Sequence, residues 1–234
     1  MVTVGRYIEG ISLNGLEWLL NDNGKEMVFP DKSHAIGFLQ DNGYKDFSQD
    51  DFDDNFVFEV RTWEKFYRDR VNSGYQEKFE KRYKPFLGFI LSLKEESLYE
   101  VGCGIGSVSK ALHTKMRCSG FDASDDMVHL AIENNKHWAS LDNFHVDNLF
   151  RIGELVNFCV THGVLEHWTD KMIVTAIEKM PYSVHYVPLD KYETPSFGDE
   201  RLLPKEHWIN LVQPTSWFTF NDDHDLCFYI NRLK

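Results

Sequence analysis

Gly102, Gly104 and Gly106 alternate directly after the apolar run Leu98 to Val101 and before a helical pattern. In a strand, loop and helix, glycine lets the backbone approach a ligand without a Cβ clash, and the helix start presents free amides. A dinucleotide fingerprint starting at Gly102 would need glycine at position 107; Ser107 stands there, which weakens the nicotinamide or flavin reading. Glu100, just before the first glycine, would repel a pyrophosphate. Roughly twenty residues after that glycine, Asp122 ends a second apolar run, where a carboxylate accepts from both ribose hydroxyls.

His162 and His167 are the candidate bases, because a neutral imidazole near pH 7 takes a proton from a hydroxyl; helix capping or packing explains either residue as well. Glu166 beside His167 invites a metal reading, but adjacent residues do not project together as an i, i+4 pair would, and no metal is assigned.

The run EVGCGIG, Glu100 to Gly106, resembles the first motif of the class I S-adenosylmethionine (SAM) dependent methyltransferases, with its acidic residue two positions before GxGxG. Asp122-Ala123-Ser124-Asp125-Asp126-Met127 resembles the second motif, Asp147-Asn148 the position at the adenine edge, and NFCVTHGVLEH, Asn157 to His167, the segment after the fourth strand. The resemblance spans residues 97 to 234. It implies SAM as cofactor and S-adenosylhomocysteine as product. Glu100 would meet the methionine part, and Gly102, Cys103, Gly104 and Gly106 would form the cofactor-binding loop. Asp122 would hold the ribose, Ala123 and Met127 would line the adenosine, Asp147 and Asn148 would meet adenine, and Thr161 and His162 would face the methionine moiety. SAM carries an amino group and a sulfonium but no pyrophosphate, which suits a carboxylate at position 100.

The implied reaction moves a methyl group to an oxygen or nitrogen of a small-molecule acceptor, with His162 and His167 as catalytic candidates. Two rival readings are a protein or RNA methyltransferase and a non-catalytic SAM-binding regulatory or interaction protein.

To position these residues, the chain beyond Ser97 alternates short apolar runs with helical periodicity. Strands are expected near Leu98 to Val101, Cys118 to Phe121, Phe144 to Val146, Val156 to Thr161 and Ser183 to Val187, with helices between them. Phe218 to Phe220 and Leu226 to Ile230, joined by the polar stretch Asn221 to Asp225, read as a closing antiparallel pair. The fold expected is α/β, a doubly wound, mostly parallel seven-stranded sheet.

Two amphipathic helices are expected between Thr62 and Lys94. Residues 1 to 60 form a small α+β accessory unit: a hairpin at Asn21-Asp22-Asn23-Gly24, a helix through Ala35 to Leu39, a solvated turn at Ser48 to Asp54, and a strand at Phe56 to Val60. Residues 61 to 234 form the SAM-binding domain. Residues before Ser97 and the segment Leu189 to Leu203 are candidates for an acceptor-side lid, and Trp63, Tyr67, Trp208 and Trp217 read as core or pocket lining.

Across 234 residues the net charge is -12, which argues against nucleic acid as a partner. Cys103, Cys118, Cys159 and Cys227 lack zinc spacing and read as reduced, buried thiols. Neither a signal sequence nor a run of about eighteen apolar residues is present, so a cytoplasmic protein without a membrane segment is expected. The oligomeric state is not legible.

Overall fold

The computed structural model describes residues 2–7, 16–22, 27–60, 63–71, 74–192 and 200–232. The chain divides into two compact units, Met1–Phe66 and Tyr67–Lys234. The division falls inside a helix rather than at residue 60.

In the first unit, strand β1 (Val2–Tyr7) is flanked by β2 (Leu16–Trp18) and β3 (Val28–Phe29) on one side and β4 (Val57–Val60) on the other, all antiparallel to it. The sequence reading placed no strand at Val2–Tyr7. Part of the expected Asn-Gly turn, residues 23 and 24, lies outside the described residues. Helix α1 (Lys32–Asp41) is capped by Asp31, which accepts from the His34 amide.

The stretch expected to be a solvated turn is helix α2 (Gln49–Asn55). Ser48 and Asp51 form a reciprocal capping box at its start, and Phe52 buries against Val4, Phe29, Leu39 and Phe56. One buried aromatic and two satisfied amides outweigh the acidic composition.

Helix α3 (Trp63–Val71) is followed by α4 (Tyr75–Arg82) and α5 (Lys84–Ser92), so three helices stand where two were expected. Pro85 is the cause: it lacks an amide hydrogen and its ring crowds the carbonyl four residues back, so it fits only the first turn of a new helix.

The second unit holds a seven-stranded sheet in the order β10-β11-β9-β8-β5-β6-β7. Its strands are β5 (Ser97–Val101), β6 (Arg117–Asp122), β7 (Phe144–Val146), β8 (Cys159–His162), β9 (Tyr182–Pro188), β10 (Ser216–Phe220) and β11 (Asp225–Asn231). The stretch from β9 to β7 is parallel, whereas β11 runs antiparallel to β9 and β10 antiparallel to β11. This is the doubly wound, mostly parallel fold expected. Strand β8 starts later than the apolar run suggested, since Val156 is exposed.

Helices α6 (Ser107–Leu112), α7 (Asp125–Asn134), α8 (Asp170–Lys179) and α9 (Lys205–Val212) complete the unit. One sheet face packs Phe86, Ile90, Val108 and Leu112 from α5 and α6; the other packs Ile173, Ile177, Trp208 and Val212 from α8 and α9. Burying apolar area on both faces is what a parallel sheet requires. Trp208 is a core residue, fully enclosed, while Trp217 is 44% exposed. Among the described residues no helix is long and apolar enough to cross a membrane.

Candidate functional site

The carboxyl ends of β5, β6 and β8 meet at the glycine loop, the expected place for a ligand in an open α/β sheet. All three loop glycines have positive φ, +66° at Gly102, +52° at Gly104 and +67° at Gly106. Their surroundings differ. A Cβ on Gly102 would come within 2.8 Å of Val164, and one on Gly106 within 2.8 Å of Asn135, whereas a Cβ on Gly104 would meet nothing within 4 Å. The outer glycines are bare because the fold leaves no room, and the middle one faces open space.

Glu100 does not point into that space. Its carboxylate is 3% exposed, and Oε2 accepts from the Ser109 amide at 3.0 Å and the Ser109 hydroxyl at 2.5 Å. It therefore caps the N-terminus of α6 and does not reach the methionine part as the sequence reading expected. Burial pushes its carboxyl up to about 7, with the Ser109 bonds acting in the opposite direction. The anion site a dinucleotide pyrophosphate would use at this helix start is already filled by a side chain.

Asp122 clasps the loop. Oδ2 accepts from the Gly104 amide at 2.9 Å and Oδ1 from the Ser124 amide at 3.0 Å, leaving each oxygen capacity for one more donor. Burial raises its carboxyl, against the pull of these amides. Ser124, not Asp122, caps α7 by accepting from the Met127 amide at 3.4 Å.

Other expected ligands are placed differently. Ala123 is exposed beside Asp122, but Met127 is 2% exposed and has almost no surface to offer adenosine. The Cys103 side chain packs with Val128, Ala131 and Phe144, so only its backbone borders the loop. All four cysteines are free and buried, and burial pushes the thiols of Cys118 and Cys159 up to about 12. Asp147 Oδ1 accepts from the Asn148 amide at 2.7 Å, so the amide expected to serve an adenine nitrogen is committed; the Asp147 amide itself donates to the Asp122 carbonyl.

Thr161 is fully buried and turned away. Its hydroxyl lies 2.8 Å from His185 Nδ1, His185 Nε2 lies 2.6 Å from Ser183 Oγ, and Ser183 donates to the Met180 carbonyl at 2.7 Å. Since Ser183 spends its hydrogen on that carbonyl, His185 donates from Nε2 and accepts from Thr161 at Nδ1. Burial holds this imidazole down at about 3, hence neutral.

His162, on the neighbouring position, lies among rings: stacked on Tyr186 at 4.4 Å, edge-on to Tyr83 at 4.2 Å, and near Phe79 at 4.9 Å. Its Nε2 is buried without a partner, and burial lowers the imidazole to about 3. His162 is thus a hydrogen-bond acceptor, not a store for a proton at neutral pH. His167 ends the 3₁₀ turn Leu165–His167 and is partly exposed.

Beside His162 the sequence reading missed a buried polar cluster. Asp225, fully enclosed, accepts from Tyr186 at 2.9 Å and Tyr192 at 2.7 Å on Oδ1 and from Asn221 on Oδ2, with the Arg82 guanidinium 3.8 Å away. In the sequence this position is the last residue of the polar stretch Asn221 to Asp225. Burial raises the Tyr83 and Tyr186 hydroxyls, which are therefore neutral donors.

Leu189 and Leu203, the ends of the expected lid segment, form a parallel bridge; Phe197, Gly198 and Asp199 lie outside the described residues. No group of three or more His, Cys, Asp or Glu gathers into a metal-holding cluster among the described residues.

No protein-family model matches the chain, and no curated protein matches it in sequence. Solved structures do match in fold. The PH0226 protein of Pyrococcus horikoshii OT3 superposes with a TM-score of 0.58 at 15% identity, over 71% of this chain and 98% of that one. The N-methyltransferase NodS of Bradyrhizobium japonicum WM9, in complex with S-adenosylhomocysteine, gives 0.53 at 17%, over 70% and 91%. Magnesium protoporphyrin IX methyltransferase of Synechocystis PCC 6803, with bound S-adenosylhomocysteine, gives 0.51 at 12%, over 84% and 95%. The fold is that of the class I SAM-dependent methyltransferases.

Proposed function

We propose that the protein binds SAM at the glycine loop and moves its methyl group to an oxygen or nitrogen of a small-molecule acceptor. The observation that carries the cofactor is the pairing of Gly104, whose left-handed backbone faces open space, with Asp122, whose carboxylate is fixed 2.9 Å from the Gly104 amide. The residues present fit the cofactor: the cradle would be filled by any Cβ at 104, and Glu100 occupies the helix start that a pyrophosphate would need.

SAM supplies an electrophilic methyl carbon whose leaving group is a neutral thioether. Asp122 accepts the ribose hydroxyls with its remaining lone pairs, and Ala123 gives the adenosine an uncharged edge. His162 accepts a hydrogen bond from the acceptor's nucleophile at its unpartnered Nε2 and orients it, while the rings of Tyr83, Phe79 and Tyr186 exclude water. The neighbours' reported activities, N-methylation by NodS and modification of magnesium protoporphyrin IX, support an acceptor of small-molecule size.

One observation favours the non-catalytic reading: a His162 held near 3 takes no proton to keep. Calorimetry with SAM, S-adenosylhomocysteine and NAD, followed by methyl transfer to a panel of hydroxyl and amine acceptors, separates the readings. Binding of both sulfur ligands but not NAD, with turnover, is the expected result. Binding without turnover across the panel supports the non-catalytic reading, and NAD binding alone removes the proposal.

A further inference from the structure

The turn after β8 touches the glycine loop. Val164 is the residue a Cβ on Gly102 would strike, so the turn that carries Gly163 and Glu166 reaches the loop's first glycine through Val164. Glu166 follows on the 3₁₀ turn with its side chain folded back: Oε1 lies 3.3 Å from where a Gly163 Cβ would stand, and Gly163 has φ +69°. The side chain is 1% exposed, and Oε2 has no hydrogen-bond partner.

Among the described residues no cation pairs with it. The nearest guanidinium along the chain, Arg201, donates its backbone amide to the Glu166 carbonyl but spends its side chain on Asp170 at 2.7 Å and the Trp168 carbonyl at 2.5 Å. The groups that bear on the carboxyl are Glu200 from the segment before α9 and Tyr186 on β9, the first an acid and the second a hydroxyl raised by burial. His162, stacked on the same Tyr186, is neutral. An orphaned, enclosed carboxyl two residues along the turn from Val164, which touches the glycine loop, asks for a missing partner.

We propose that Glu166 is a buried counter-charge for the methyl donor: neutral in the empty protein, it releases its proton when a sulfonium cation seats at the glycine loop, and takes one back once the methyl group has left. The inference rests on the SAM reading above. In the empty site, burial without a partner disfavours the ionised form and raises the carboxyl well above its ordinary value. A sulfonium favours the ionised form, and a neutral thioether does not. The proton passes to solvent on binding and returns from solvent, or from the acceptor's nucleophile, after transfer. Atoms and charge balance without a further reagent.

The site thereby prefers substrate cofactor to product. Because the sulfonium binds the deprotonated form, SAM affinity rises with pH through the Glu166 titration, while S-adenosylhomocysteine affinity does not follow it. The device also explains why, among the described residues, no lysine or arginine pairs with this carboxylate: a permanent ion pair would screen the charge from the ligand.

The test is calorimetry of SAM and S-adenosylhomocysteine at mildly acid to neutral pH, in buffers of different ionisation enthalpy, on the full chain and on Glu166→Gln. The expected result is release of up to about one proton with SAM and none with S-adenosylhomocysteine. In Glu166→Gln the SAM release disappears and the preference for SAM falls on the order of tenfold, the equivalent of one pKa unit. Infrared difference spectra provide a second readout that needs no variant: the carboxylic acid carbonyl band should be lost on adding SAM and retained with the product. Equal proton counts for the two ligands, or an unchanged release in the variant, would overturn the inference while leaving the SAM reading intact. Failure of SAM to bind at all removes both.

Discussion

The two halves of the carboxyl edge are built from different materials. Around β5, α6 and β6 the site is backbone: left-handed glycines, amides clasped by Asp122, and a helix start capped by Glu100. Around β8, β9 and β11 it is side chain: four aromatic rings about His162, the enclosed Asp225 with its donors, and the unpaired Glu166. Backbone conformation is written in short motifs, because glycine adopts the left-handed geometry at the least steric cost. The side-chain half is assembled from residues more than a hundred positions apart, such as Arg82 and Tyr192.

The contrast predicts where substitutions damage the fold and where they damage binding. The largest stability effect should follow Asp225→Ala, which leaves the hydroxyls of Tyr186 and Tyr192 and the Asn221 amide without their acceptor: a loss of about 3–5 kcal/mol in denaturant unfolding. A loss under about 1 kcal/mol would show that the cluster is not the anchor of the acceptor half.

On the backbone half, Gly104→Val should cut SAM affinity on the order of a hundredfold, about 2.7 kcal/mol, in calorimetry. The stability cost should stay near the roughly 1–2 kcal/mol of a left-handed residue. Gly106→Ala should show the reverse balance, with about 1–3 kcal/mol of overpacking added to that strain, because its Cβ would meet Asn135 and Phe144. Similar behaviour of the two variants would erase the distinction between open and filled glycines.

Asp122→Ala should weaken SAM by roughly thirtyfold, the equivalent of about 2 kcal/mol, with the chain still folded by circular dichroism. Unchanged affinity in this variant and in Gly104→Val would sink the cofactor assignment.

The last effect appears only as the pH is changed and concerns His185. Its folded value of about 3 lies below the ordinary 6.5, so unfolded chains bind a proton that the native state does not. The contribution is fully present above pH 6.5 and is lost as pH falls toward 3, with a limiting slope of about 1.4 kcal/mol per pH unit. His162 has the same sign. Glu100 has the opposite one, its contribution present below 4.5 and lost as pH rises toward about 7. Both remain in His185→Gln, so subtracting its unfolding free energies from the wild-type values across this range isolates the His185 slope. A flat difference would mean that His185 titrates alike in both states.

Much of the fold was legible beforehand. The parallel strands and the closing hairpin follow from apolar runs and a polar turn, each a local property. Strand β1 is not legible in the sequence because Val2–Tyr7 is a short segment interrupted by Gly5 and Arg6 whose partners lie elsewhere in the chain. Helix α2 was missed because its acidic face conceals a single anchoring Phe52.

In the site, sequence alone determined the glycine loop, the two acidic positions around it and the order of the motifs, since these depend on backbone conformation and spacing. Only the tertiary structure decided what each carboxyl does. Burial and hydrogen-bond geometry made Glu100 a helix cap and Asp122 a clasp beside the cradle, turned Thr161 into the core, neutralised His162, and left Glu166 enclosed without a partner. A residue's type fixes which charges are available to it. Its surroundings, drawn from distant parts of the chain, set what carrying a charge costs.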